Sequence, residues 1–208
     1  MTHKRNQRAL RTIRTLRMRQ QHQAQKIDIL CRDMVTAHTL FAQKVAQLSF
    51  AASFYETILG CSGLEETLDK VVTMIHNNID QAGAAIFMVE TSGFDVHVAK
   101  SSDNEQVEKS SFQSWFSRPM VEQISQSNHL YTLDEMLKLG LAAPPSVLRT
   151  LSATAVPLGR FGLGVGLILI YRSAEHPLLD EELSRVASIA SGLRETILSF
   201  KSPTLTVK

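Results

Sequence analysis

Cysteine is scarce in this 208-residue chain: two residues, Cys31 and Cys61, thirty positions apart and outside any CxxC pair. That spacing offers neither a disulfide framework nor a zinc site, and it fits a reducing compartment, the cytoplasm. Long apolar runs are missing too. The longest, Phe161–Tyr171, falls far short of the ~20 residues that a membrane-spanning helix needs. The N-terminus carries no apolar segment of the kind that marks a secretory signal. A dinucleotide fingerprint is also absent. Gly162-Leu163-Gly164-Val165-Gly166 would need a glycine where Leu167 stands, and it leads into a strand where a helix should open. The seven histidines form no HExxH and no i, i+4 pair. His38, His97 and His129 are therefore expected to be structural or solvated, with haem ligation by His129 as the alternative. No Ser-His-Asp set is readable from the order of residues.

Acidic residues are missing from positions 1–27, where Lys4, Arg5, Arg8, Arg11, Arg14, Arg17, Arg19 and Lys26 stand. These are eight of the chain's 22 Lys and Arg, so the remainder sets fourteen against all 20 acids, a balance of −6 hidden under a formal net charge of +2. A basic arm on a mildly acidic body predicts a polyanionic partner, which could be nucleic acid, an anionic membrane surface or an acidic protein. Arg5, Arg8, Arg11, Arg14 and Arg17 would neutralise its charges and make binding steeply salt-dependent. The competing reading is a solvated helical or disordered extension that binds nothing specific.

The apolar residues present are ordered. From Ile27 to Leu59 there is no proline or glycine, and Ile27, Met34, Phe41, Leu48 and Tyr55 recur every seven residues. One companion row lies three positions on (Leu30, Ala37, Lys44, Ala51, Ile58) and another four on (Cys31, His38, Val45, Ala52, Leu59). Four such heptads predict a long helix with a coiled-coil-like seam, facing either a second chain or the body of its own. Gly60–Gly63 breaks it. Ser62 with Glu65 reads as a capping box for a second helix to about Ile79. Gly83–Glu90 is a nearly all-apolar run and so a central strand, and Phe94–Lys100 alternates as a half-exposed partner. Ser101–Ser111 is a polar loop. A helical segment interrupted at Pro119 follows, then a short edge strand at His129–Thr132. Thr132 caps a brief helix ending at Gly140, and Ala142–Ser146 is a loop. Leu151–Arg172 predicts a hairpin with a glycine-bearing turn and glycines that admit a closely packed helix. Acids at Asp180–Glu182 favour a helix start there. The last helix carries its own seam of Leu183, Val186, Ala190, Leu193, Ile197 and Phe200.

Strands joined this closely leave no room for parallel crossovers, so the sheet is mainly antiparallel and the class is α+β. At Gly63–Ile79, Ala84–Glu90 and Leu151–Arg172 with the helix after it, the sequence resembles a GAF domain. Val156-Pro157-Leu158, Gly164-Val165-Gly166 and the acidic helix start stand in that family's order. The likeness spans roughly residues 50–200. It implies a central sheet of about five to six strands flanked by helices and preceded by the long N-terminal helix. The organisation expected is a basic arm at 1–26, a long helix at 27–59, the GAF-like domain at 60–201 and a tail at 202–208.

The resemblance also implies a non-enzymatic signalling module that binds a small molecule, not identified by the sequence, and forms a homodimer through its first and last helices, with a protein partner reading the output. Phe112, Trp115, Phe116 and Tyr131 flank the side where the family places ligand. Phe87 lies on a strand with two apolar faces, and Ser152 and Thr154 share a strand face and could offer hydroxyls. The competing reading is that these aromatics fill the space themselves. Both cysteines precede the first strand, which argues against the methionine-sulfoxide chemistry and the covalent bilin attachment of some relatives. Of the cyclic-nucleotide set found in phosphodiesterase members, only Asp180 has a counterpart.

Overall fold

A computed structural model of the chain describes residues 2–98, 109–160 and 162–201. Outside the described residues lie most of the loop expected at 101–111, the tail at 202–208, and the side chains of 2–13, 15, 109, 160 and 163. Two compact units divide the chain, residues 1–46 and residues 47–208. The first is the leading part of one continuous helix, α1 (Thr2–Leu59).

The second unit begins with the end of α1 and continues through α2 (Leu64–Asn78), β1 (Gly83–Glu90) and β2 (Gly93–Val98). After these come α3 (Lys109–Trp115), α4 (Arg118–Ser125), β3 (Tyr131–Thr132), α5 (Leu133–Lys138), α6 (Pro145–Thr150), β4 (Leu151–Arg160), β5 (Leu163–Ser173) and α7 (Asp180–Lys201). The strands form one five-stranded sheet in the order β2-β1-β5-β4-β3, with every neighbouring pair antiparallel.

Both faces of the sheet are covered, so two cores form. On one face Ala84, Ile86 and Met88 of β1, Val156 and Leu158 of β4, and Ile168 and Ile170 of β5 meet α2, α7 and Phe50 and Phe54 of α1. On the other, Ala85, Phe87, Ala153, Ala155, Leu167 and Leu169 meet Phe112, Phe116, Met120, Val121, Ile124 and Met136. The alternation along each strand is the period of two of a pleated sheet. It explains why β1 is apolar up to its last residue, the exposed Glu90: each of its faces has a helical layer to meet.

Local chemistry agrees with the elements and corrects some boundaries. Thr132 caps α5 with a full capping box: the Glu135 backbone N–H donates to Thr132 Oγ1 at 3.4 Å, and the Thr132 N–H donates to Glu135 Oε2 at 2.9 Å. The box expected at Ser62 and Glu65 is not formed. α2 starts one residue later, with Gly63 at the cap, so the acid that reaches back is Glu66, which accepts from both the backbone N–H and the hydroxyl of Ser62 at 2.9 Å. The loop expected at Ala142–Ser146 gives way at Pro145 to α6, since a proline in the first turn is pre-set for a helix and forfeits no hydrogen bond there.

The glycines of the closing hairpin do what a side chain would forbid. Gly159 and Gly164 are paired across the strands, and a Cβ on either would collide with Ser125 at the end of α4. Gly166 differs from the expectation of helix packing: its neighbour is the β1 backbone at Phe87.

Behind the hairpin, Arg172 is buried and clasps α7. Its guanidinium donates to Glu182 at 2.7 and 3.1 Å and to the carbonyls of Asp80 and Pro177. Glu182 in turn accepts the Leu179 N–H at 2.8 Å. The bonds from both Nη atoms fix where α7 starts against the sheet, while the Arg172 Nε–H is buried without a partner among the described residues.

Candidate functional site

The aromatic residues singled out from the sequence come together in part. Phe87 on β1 sits under Phe116, between α3 and α4, at a ring separation of 4.5 Å, and under Phe112 of α3 at 6.0 Å edge to face. Phe112 also meets Trp115 at 5.7 Å and Tyr171 at 5.3 Å. Phe87, Phe112 and Phe116 are buried, and their rings contact one another as core side chains do. Burial pushes the Tyr171 phenol up to about 12, so it stays neutral in this environment. Trp115 and Tyr131 are half-buried at the rim of the cluster, and Tyr131 stacks on His129 at 4.2 Å.

Ser152 and Thr154 do not join this group. On β4 they alternate with Ala153 and Ala155, and the latter two face the aromatics. The two hydroxyl residues thus look toward the α7 side, where Ser152 Oγ accepts the Leu178 N–H at 3.5 Å and Thr154 is buried. With apolar layers on both faces, the alternation in sequence carried no label for which face is which.

His97 lies between two carboxylates, with Nε2 3.2 Å from Asp95 Oδ2 and Nδ1 3.9 Å from Asp69 Oδ1. Among the described residues no group of three His, Cys, Asp or Glu is placed to hold a metal ion, and no helix is long and apolar enough to cross a membrane.

Two features stand out that chemistry could use. The first is α1 itself. In residues 1–46, Ile27, Cys31, Met34, His38, Phe41 and Val45 are exposed, Ile27 at 62% and Phe41 at 68%. In residues 47–208, Leu48, Ala52, Tyr55 and Leu59 are exposed, while Phe50 and Phe54 on the other face of the helix enter the core with Ala51 and Ile58 packed beside them. The exposed rows keep their alternating four- and three-residue spacing across the division between the units. The basic stretch is helical as well. Arg14 and Arg17 are exposed on it, whereas the side chains of Arg5, Arg8 and Arg11 lie outside the described residues. The second feature is a cavity of about 290 Å³ on the α7 side of the sheet, lined by the turn at 127–130, by β4 and by Ser191, Arg194 and Glu195. Nothing in the order of residues marks it.

Comparison with solved structures matches this arrangement of sheet and helices. The GAF domain of an Acinetobacter phosphoenolpyruvate-protein phosphotransferase superposes with a TM-score of 0.54 at 14% identity, over 74% of this chain and 93% of that one. The chain has a GAF-like fold. The GAF domain of a Coxiella burnetii phosphoenolpyruvate-protein phosphotransferase gives 0.55 at 14% identity, over 76% of this chain and 95% of that one. The GAF domain of A. aeolicus nlh2, in an inactive state, gives 0.52 at 14% identity, over 77% and 99%. No family model matches the chain, and no curated protein matches it by sequence. At this identity the GAF-like likeness is one of fold.

Proposed function

We propose that this chain is a non-enzymatic regulatory module in which a GAF-like body dimerises through α1 and passes changes in its packing along that helix. The observation that carries the reading is the two-faced end of α1. Phe50 and Phe54 tie the helix to the sheet, while Leu48, Ala52, Tyr55 and Leu59 continue the exposed spacing set by Ile27, Cys31, Met34, His38, Phe41 and Val45. Fully burying one large apolar side chain is worth about 1.5–3 kcal/mol, so a row of this length favours a helical partner of matching pitch. A second copy presents that pitch. Neighbours that are GAF domains of phosphotransferases support a regulatory setting. The ring-on-ring packing of Phe87, Phe112 and Phe116 supports a structural role for the aromatic group in this reading. Light scattering of the full chain should give twice its 23.1 kDa mass at micromolar concentration, and a constant 23.1 kDa at all concentrations would end the reading.

A second reading concerns the arm. The helix continues through residues 2–26 with exposed Arg14, Arg17 and Arg19 and no acid before Asp28. That run supports capture of a polyanion with steep salt dependence. Removal of residues 1–26 should abolish binding to DNA and to anionic vesicles, and unchanged binding to both would exclude it.

A further inference from the structure

The exposed row of α1 is apolar except at His38, which stands between Met34 and Phe41 in it. Cys31 and Tyr55 are its other titratable members. Thiols and phenols stay neutral through mild acid, whereas an imidazole, with an ordinary value of about 6.5, gains a charge there. His38 is therefore the residue at which a modest fall in pH places charge on this face.

The helix around it offers nothing to hold that charge. Residues 34–43 include no Asp, Glu, Lys or Arg, and no acid stands between Asp33 and Glu56. Asp33 is five positions before His38 and Lys44 six after it, so neither has the three- or four-residue spacing at which helix side chains meet. In the single chain this matters little, because His38 is exposed and water can solvate the imidazolium.

A second copy laid along the whole row removes that water. With the helices parallel, His38 meets its own counterpart, flanked by the copy's uncharged residues 34–42. With them antiparallel and Ile27 against Leu59, it meets Leu48, and Lys44 is the single charge in the copy's residues 44–52. The copy's α7 then comes near as well, since Gln47 donates to the Ser184 carbonyl at 3.4 Å, and the charged neighbours of Ser184 are Glu181 and Arg185, of opposite sign. In neither direction does an α1 carboxylate face the imidazole. Covering it in such surroundings favours the neutral form, and the parallel case adds repulsion between two imidazolium groups.

We propose, building on the dimer reading, that His38 makes association through α1 pH-sensitive: two copies join while its imidazole is neutral and separate as it takes up a proton. The sign follows from linkage. A proton held by the separate chains must be released on association, so association weakens as pH falls through about 6.5, with two such protons per dimer.

The test is sedimentation equilibrium of the full chain at about pH 7.5 and about pH 5.5, either side of the ordinary imidazole value, at matched ionic strength. The dissociation constant of the parent should rise about tenfold or more at the lower value. His38→Leu, apolar at both values, should associate equally at both. His38→Gln, neutral and polar, should also lose the pH dependence, and it decides the matter if the Leu variant fails to fold. A parent dimer equally tight at both values, or a pH dependence that persists in the folded variants, overturns the role of His38 and leaves the dimer standing. A parent chain that is monomeric at the higher value overturns the dimer reading and the role of His38 with it.

Discussion

Two helices of this chain carry the same alternating three- and four-residue apolar spacing, and they meet opposite fates. On α7, Leu183, Val186, Leu193 and Ile197 are buried on the sheet, with Ala190 packed beside them and Phe54 of α1 against Gly192. On α1, the row from Ile27 to Leu59 is exposed, reaching 84% at Leu59. Spacing says which face of a helix favours burial, but not what buries it. For α7 the answer is this chain's own sheet as far as Ile197, while Phe200 at the end of the seam is exposed. For α1 the row is exposed, and the dimer reading rests chiefly on it.

That comparison can be broken from either side, and the largest effects should come from the buried helix. Glu182→Ala leaves the buried Arg172 guanidinium without its partner, and removing one member of such a pair costs about 3–5 kcal/mol. Denaturant unfolding should show that loss at every protein concentration. Leu193→Ala, in the middle of the buried seam, should cost about 2–5 kcal/mol in the same measurement. The matched change on the exposed seam, Leu48→Ala, should leave unfolding at low concentration within about 0.5 kcal/mol of the parent, as surface changes do. Its effect should appear only where copies associate. If Leu48→Ala destabilises dilute protein as much as Leu193→Ala does, the two seams are not different in kind.

The smallest expected effect is electrostatic, at the start of α2. Glu66 is held down to about 2 by its hydrogen bond with Lys70 and by the two bonds from Ser62. A carboxylate with a depressed native pKa contributes stability that is present above its ordinary value of 4.5 and is lost as pH falls through that value toward 2. The group is fully exposed, so the contribution is modest. Glu66→Gln should therefore slightly flatten acid unfolding between about pH 4.5 and 2, and an unchanged acid profile would show that the bonds at Ser62 and Lys70 do not persist in solution.

Much of the fold was legible because local signals and tertiary demands coincide. β1 is apolar up to Val89 since two cores claim it, and α7 starts on three acids and carries a regular seam. Thr132 and Glu135 mark α5 without reference to anything distant. The candidate site was less legible, for reasons that lie in distance and direction. Ser152 and Thr154 share a face, as expected, yet which layer they address depends on how the whole sheet is covered. Ser62 and Glu65 miss their pairing because a cap depends on the start of α2 to the residue. Arg172 and Glu182 are ten positions apart and look like two surface charges until the hairpin and α7 are assembled.

The central claim, that the exposed row of α1 is the surface through which two copies of this GAF-like chain associate, is tested most directly by sedimentation equilibrium of the full chain beside Phe41→Glu. Phe41 stands nine positions before the buried Phe50 and is exposed on the helix, so a glutamate there should not disturb the fold. The account predicts a dimer for the parent chain and a monomer with an unaltered circular dichroism spectrum for the variant. A Phe41→Glu chain that sediments as the same dimer, or a parent chain that is monomeric at high micromolar concentration, would contradict it.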